Sequence, residues 1–147
     1  MKEKKSVMVA SGLIVLFGAV LLVMLPAAPA VCRWYVGLRG VSREIFRTIL
    51  ICWYLCTLPA ALALWKLWKL LRRIGAGQPF DPANIRAIAD VGWCALACAL
   101  ICAVGMVVYP PFLLVSVAMF FLFAIVRVVA ACFRMAAALA EENSLTI

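Results

Sequence analysis

The apolar residues of this chain fall in four long blocks, at positions 7–25, 45–71, 91–109 and 112–138, divided by shorter polar segments. Each block supplies the roughly 18–20 residues that a helix needs to cross about 30 Å of hydrocarbon. Backbone in lipid must satisfy its own hydrogen bonds, so segments of this length are read as helices. The pattern predicts an all-α polytopic membrane protein: one domain over 1–147, built as a bundle of four transmembrane helices. A polar loop at 72–90 and a tail at 139–147 complete it. The second and fourth blocks are long enough to tilt or to project beyond the bilayer.

Turn chemistry refines the boundaries. Gly75 and Gly77 are placed to end the second helix. Asp81 followed by Pro82 has the form of an N-cap acid with proline at the first helical position, so the third helix should begin near Pro82, about two turns before its apolar block. Ser42 can cap the second helix, with Glu44 in its first turn. Ile85, Ile88 and Phe80 would then lie against the membrane surface or the second helix. Trp65, Trp68 and Trp93 fall at one interface, and Trp34, Tyr35 and Tyr109 at the other.

Composition excludes a soluble domain. Of 147 residues, 69% are hydrophobic, and the mean hydropathy is +1.16, whereas soluble proteins are about 45–50% apolar. The net charge of +8 is therefore assigned to holding the protein at a bilayer with an anionic inner leaflet, and no direct nucleic-acid binding is expected. Lys2, Lys4, Lys5, Lys66, Lys69, Arg72, Arg73 and Arg86 flank one side of the predicted spans. Only Arg33, Arg39, Arg43 and Arg47 flank the other. Positive charge marks the cytoplasmic side, which predicts both termini inside. The basic start, the apolar run and the "APA" at 28–30 also have the form of a secretory signal, although the run exceeds the usual 7–15 residues. Removal of that segment would leave the orientation of the other spans unchanged.

The candidate chemistry is sparse. The chain has seven cysteines and no histidine. Cys94, Cys98 and Cys102 recur every fourth residue and so share a helix face. A metal or redox site would need histidines or a tight Cys-x-x-Cys pair, and the sequence has neither. Small residues beside these cysteines, and the matching stripe through Cys52 and Cys56, point to close helix packing instead. The second and third helices are expected to form a tight antiparallel hairpin. No span carries Asp or Glu away from its ends, which weighs against proton-coupled antiport. Arg127 lies fifteen residues past Phe112, about 22 Å into the bilayer. It reads either as an anchor snorkelling to the inner edge or as a polar contact within the bundle. Arg134 shares its face, and Asp90 and Glu141 are the acidic candidates to pair with them. No nucleophile–base pair, carboxylate pair or metal cluster supports an enzyme, and no cofactor is expected.

Two segments are distinctive: "GQPFDPANIRAI" after the basic end of the second helix, and the terminal "LAEENSLTI". Together they resemble the bacterial family known as domain of unknown function 2975, whose members are four-span membrane proteins of about this length. The match rests on Gly77, Phe80 and Asn84 in the loop, and on Glu142, Asn143, Leu145, Thr146 and Ile147 in the tail. Asp81-Pro82 departs mildly from the hydroxyl residue and acid found in many relatives. The family has no established activity, but its members often lie beside a small helix-turn-helix regulator. The resemblance thus implies a membrane sensor or anchor in the bacterial inner membrane, reading a small DNA-binding regulator through Phe80, Asn84 and Glu141 to Ile147. Leu145 and Ile147 alternate about Thr146, so an extended tail would present both on one face for strand addition. The competing reading is a solvated end that touches nothing. A small transporter or channel subunit is the alternative function, and self-association into a homo-oligomer is compatible with either.

Overall fold

The computed structural model describes residues 2–40, 42–77 and 81–145, with side chains from residue 7 onward. Phe80, Thr146 and Ile147, three of the candidate partner residues, lie outside the described residues. Four helices follow one another: α1 (Lys2–Arg39), α2 (Arg43–Gly75), α3 (Pro82–Gly105) and α4 (Phe112–Leu145). All four are long and apolar enough to cross a membrane. The chain is a multi-pass membrane protein with an all-α bundle fold. Each helix packs along its neighbour in sequence, α1 on α2, α2 on α3 and α3 on α4, so the helices run up, down, up and down. One end of the bundle holds Val7, Gly75 and the start of α3. The other holds Tyr35 and Tyr109, whose hydroxyls share a short hydrogen bond.

The helix α3 is the centre of the bundle. Its most apolar stretch is 39% buried, against 6% or less in the other three helices. The buried positions are Asn84, Ala87, Ile88, Gly92, Ala95, Cys98, Ala99, Cys102 and Gly105. Their spacing of three and four residues is that of one helix face. Nearly all are small, which lets neighbouring backbones approach. Lipid is as apolar as leucine, so close packing rather than water exclusion must hold such helices together. A Cβ at Gly92 would stand 3.2 Å from Val126 Cγ1, and one at Gly105 would stand 2.8 Å from Cys52 Sγ. These glycines set the distances to α4 and α2. The Ser116 hydroxyl adds a bond across α3 and α4, donating to the Ala99 carbonyl at 2.8 Å. Near the Val7 end, Leu70, Ile88 and Ala130 join three helices in a cluster flanked by Leu67, Ile74, Val126 and Phe133.

Helix ends follow local chemistry. Asp81 Oδ1 accepts from the Ala83 amide at 2.9 Å, with Pro82 at the first helical position, as its sequence requires. Gly77 takes a left-handed φ of 84° just past α2, a conformation that glycine adopts at little cost. Ser42 occupies the N-cap of α2, but its side chain makes no capping bond. Its carbonyl instead accepts from the Ile45 and Phe46 amides.

Three boundaries differ from the sequence expectation. α1 continues to Arg39 rather than stopping at 25, with Pro26 and Pro29 inside it. Proline removes an amide donor and frees the carbonyl four residues earlier. For Pro29 that carbonyl belongs to Leu25, and the Tyr54 hydroxyl of α2 donates to it at 3.1 Å. A neighbouring helix thus satisfies the freed acceptor, the condition under which spans tolerate proline. The third helix ends at Gly105, leaving residues 106–111 as the connection to α4. The fourth helix runs on to Leu145, where a tail was expected from residue 139.

Candidate functional site

The chemistry-bearing side chains collect at the end of the bundle where α2 stops, α3 starts and α4 runs on. Asn84 sits in the first turn of α3, and its amide donates to the Asp81 carbonyl at 2.8 Å. Its side chain is fully buried, with 0% exposure. This corrects its assignment to a partner-reading surface: a partner cannot touch its side chain, and its backbone amide helps close the first turn of α3. Inside a low-dielectric core a polar amide is costly to misplace, which fixes local geometry.

Asp90 faces α2. Its Oδ2 accepts from Lys66 Nζ at 2.7 Å, with the two side chains 46% and 35% exposed. The register of α3 therefore directs this carboxylate away from α4, and it does not serve Arg127 or Arg134 as expected. Both arginines are exposed on α4, and no ion pair involves either among the described residues. Arg134 lies beside Pro82, Ile85, Arg86 and Ala89 on α3. At this exposure the Lys66–Asp90 pair contributes about 0.2–1 kcal/mol. Lys69, one turn from Trp65, places its ammonium 4.0 Å from that ring's centroid, a cation–π contact.

Glu141, Glu142, Asn143 and Leu145 lie on the last turns of α4, exposed and helical. In this geometry these residues present a helical face rather than an extended strand. The run of good helix formers from Ala136 to Glu142 continues the helix, and the Ser144 hydroxyl folds back to donate to the Glu141 carbonyl at 2.7 Å.

Five of the seven cysteines lie on α2 and α3, with Cys32 on α1 and Cys132 on α4. Cys52, Cys98 and Cys102 are buried, Cys56 and Cys94 half-buried, and all seven thiols are free. The Cys52 thiol approaches the Ile101 carbonyl at 3.9 Å and the Cys98 thiol the Cys56 carbonyl at 3.8 Å, weak contacts between packed backbones. No metal-holding group of histidine, cysteine or acidic side chains occurs among the described residues. Two adjoining apolar clefts, of about 310 and 370 Å³, run between the helices beside them and share Leu21, Ala60, Cys98 and Met119. At the opposite end, the hydrogen bond with Tyr35 raises the pKa of the Tyr109 phenol above its usual value, because as donor in that bond Tyr109 is held in its protonated form.

Sequence reasoning missed a basic crevice between α2 and α3. Its cations had each been counted only as orientation signals. The usable signal was the spacing of Lys66, Lys69 and Arg73, which puts them on one helix face, opposite the small Ala83 and Ala87.

No curated protein and no solved structure matches the chain. The model of one family, described as "Protein of unknown function (DUF2975)", matches residues 7–147. Covering nearly the whole of the four-helix membrane bundle, that match places the chain in the DUF2975 family.

Proposed function

We propose that this membrane protein is non-enzymatic and works by holding a cytoplasmic partner, a small helix-turn-helix regulator, at the bacterial inner membrane. The observation that carries the reading is the length and chemistry of α4. Its 34 residues span about 51 Å at ~1.5 Å per residue, some 20 Å more than the hydrocarbon core. The projecting turns expose Glu141 and Glu142 beside Leu139 and Leu145, which are 61% and 82% exposed. Carboxylates suit the basic surface that a DNA-binding protein carries. Bare leucines on a helix suit an apolar groove. The cytoplasmic assignment is supported by the cations that flank the spans, eight at this end against four at the other. Conduction would need a polar path. Here the Thr48, Thr57 and Ser116 hydroxyls all donate to helix carbonyls, and the two clefts beside the cysteines, within the spans, are almost wholly apolar in lining.

The test has two arms. Single cysteines at positions 40 and 78, in a cysteine-free background, should label from opposite faces of intact cells, with 78 protected from outside. Capture of the neighbouring helix-turn-helix protein, together with output from its promoter, should then be compared for wild type, Leu145→Asp and a stop at 144. Weaker capture and altered output at unchanged membrane abundance are expected. Wild-type behaviour in both variants would remove α4 as the docking element.

A further inference from the structure

We propose that the crevice between α2 and α3 is a binding site for a phosphate group, presented by the head group of an anionic phospholipid. The site is built from two helix faces. Lys66, Lys69 and Arg73 follow at intervals of three and four residues on α2, and Arg86 reaches in from α3. Ala83 and Ala87 form a low floor between them, leaving a cavity of about 260 Å³. That is below the ~300–1,000 Å³ of sites for drug-sized ligands, and of a size for a head group.

Charge makes the site an anion site. Asp90 is the one acidic residue lining it among the described residues, and its carboxylate is engaged by Lys66 at 2.7 Å. Among the described residues, no carboxylate pairs with Lys69, Arg73 or Arg86. The contact with Trp65 holds the Lys69 ammonium in place while leaving its N–H donors to bond an oxygen. Two guanidiniums supply the forked donors that fit phosphate oxygens best. The location selects the lipid source. Trp65, 52% exposed, has the amphipathic character of a residue at the head-group level. Basic pockets between spans at the cytoplasmic edge are the places where anionic head groups dock. A soluble phosphate ester shares the recognition chemistry, so the experiment must separate the two. The proposal is independent of the partner assigned to α4.

The full chain in neutral detergent is titrated with phosphatidylglycerol, phosphatidylcholine or inorganic phosphate, and retained ligand is read by native mass spectrometry. Wild type should retain phosphatidylglycerol over phosphatidylcholine. The double variant Arg73→Gln/Arg86→Gln should bind it about tenfold or more weakly, the effect of losing charge-assisted hydrogen bonds. Arg43→Gln/Arg47→Gln removes the same charge at the far end of α2 and should stay within about twofold of wild type. Asp90→Asn should bind more tightly, a gain that misfolding cannot produce. Equal losses in the two double variants, no preference between the lipids, or weaker binding by Asp90→Asn would overturn the site. Retention of inorganic phosphate without lipid preference would overturn the lipid assignment.

Discussion

Gly105 gives the sharpest test of how the helices are spaced. A Cβ at this position would lie 2.8 Å from Cys52 Sγ and 3.0 Å from Phe112 Cδ2. Non-bonded carbon atoms prefer about 3.5–4.0 Å, so Gly105→Ala must push α2 or the Phe112 ring away by several tenths of an ångström. Overpacking of this kind costs about 1–3 kcal/mol. Against it stands the helix propensity gained by replacing glycine, about 1 kcal/mol in a helix interior. Gly105 is the last residue of α3, so it recovers only part of that gain, and the clash wins. The net expectation is a loss of about 1–2 kcal/mol.

The molecule carries its own controls. Gly12 and Gly18, inside α1, have nothing within 4 Å of a built Cβ. Their alanine variants should be neutral or stabilised by up to about 1 kcal/mol. Gly92, with Val126 at 3.2 Å, should fall between. Reversible unfolding in mixed micelles, followed by far-ultraviolet circular dichroism, ranks the four variants. If Gly105→Ala is as stable as Gly18→Ala, the close approach of α3 to α2 is wrong. Cys52→Ala should partly relieve Gly105→Ala, because it deletes the nearest atom.

Other expectations follow from single features. Replacing Cys94, Cys98 and Cys102 with alanine should leave folding nearly intact, whereas leucine at the same positions should force the helices apart, with both outcomes read from helicity and monodispersity in detergent. Asn84→Ala should destabilise the bundle by about 1–3 kcal/mol in the same unfolding titration, since it empties a polar site at 0% exposure; an unchanged midpoint would show the site relaxes freely. The Tyr109 phenol has a raised folded pKa, so its contribution is fully present below the unfolded value of about 10 and is lost as pH rises through the folded value. Tyr109→Phe should abolish that alkaline dependence.

The helices were legible because lipid imposes a length rule that apolar blocks either meet or miss, and Asp81-Pro82 marked the α3 start through a local capping bond. The shared face of Cys98 and Cys102 could likewise be read, since spacing alone places residues around a helix. What spacing cannot supply is register between helices. Asp90 was offered to Arg127 or Arg134, yet the rotation of α3 turns it to Lys66. Lys69, Arg73 and Arg86 looked like separate topology signals until α2 and α3 were set side by side. Asn84 read as an exposed motif residue because polar residues in loops usually are, but here it lies on the one face of the first turn of α3 that turns inward, between an exposed Pro82 and a half-buried Ile85. The tail read as extended from the alternation of Leu145 and Ile147, while the alanines and glutamates before it carried the helix onward.

The continuation of α1 through its prolines rests on a donor from another helix, and that dependence can be measured. Pro29 cannot donate to Leu25, and Tyr54 takes its place at 3.1 Å. Tyr54→Phe keeps the ring and deletes the donor, leaving a carbonyl unsatisfied where water is scarce. A carbonyl so stranded in lipid costs up to about 1–3 kcal/mol, though side-chain hydrogen bonds in membrane proteins average nearer 0.6 kcal/mol. Pro29→Ala restores an amide that reaches Leu25 from within α1. In that background the tyrosine hydroxyl is redundant, so Tyr54→Phe should cost less there than in wild type. The difference, a coupling of about 0.5–1.5 kcal/mol, is read by a double-mutant cycle in the micelle unfolding assay. Cross-linking between engineered cysteines on α1 and α2 should weaken in parallel for Tyr54→Phe and recover in the double variant. Equal costs in both backgrounds would mean that the Leu25 carbonyl finds its partner elsewhere, and that α1 is held to α2 by packing alone.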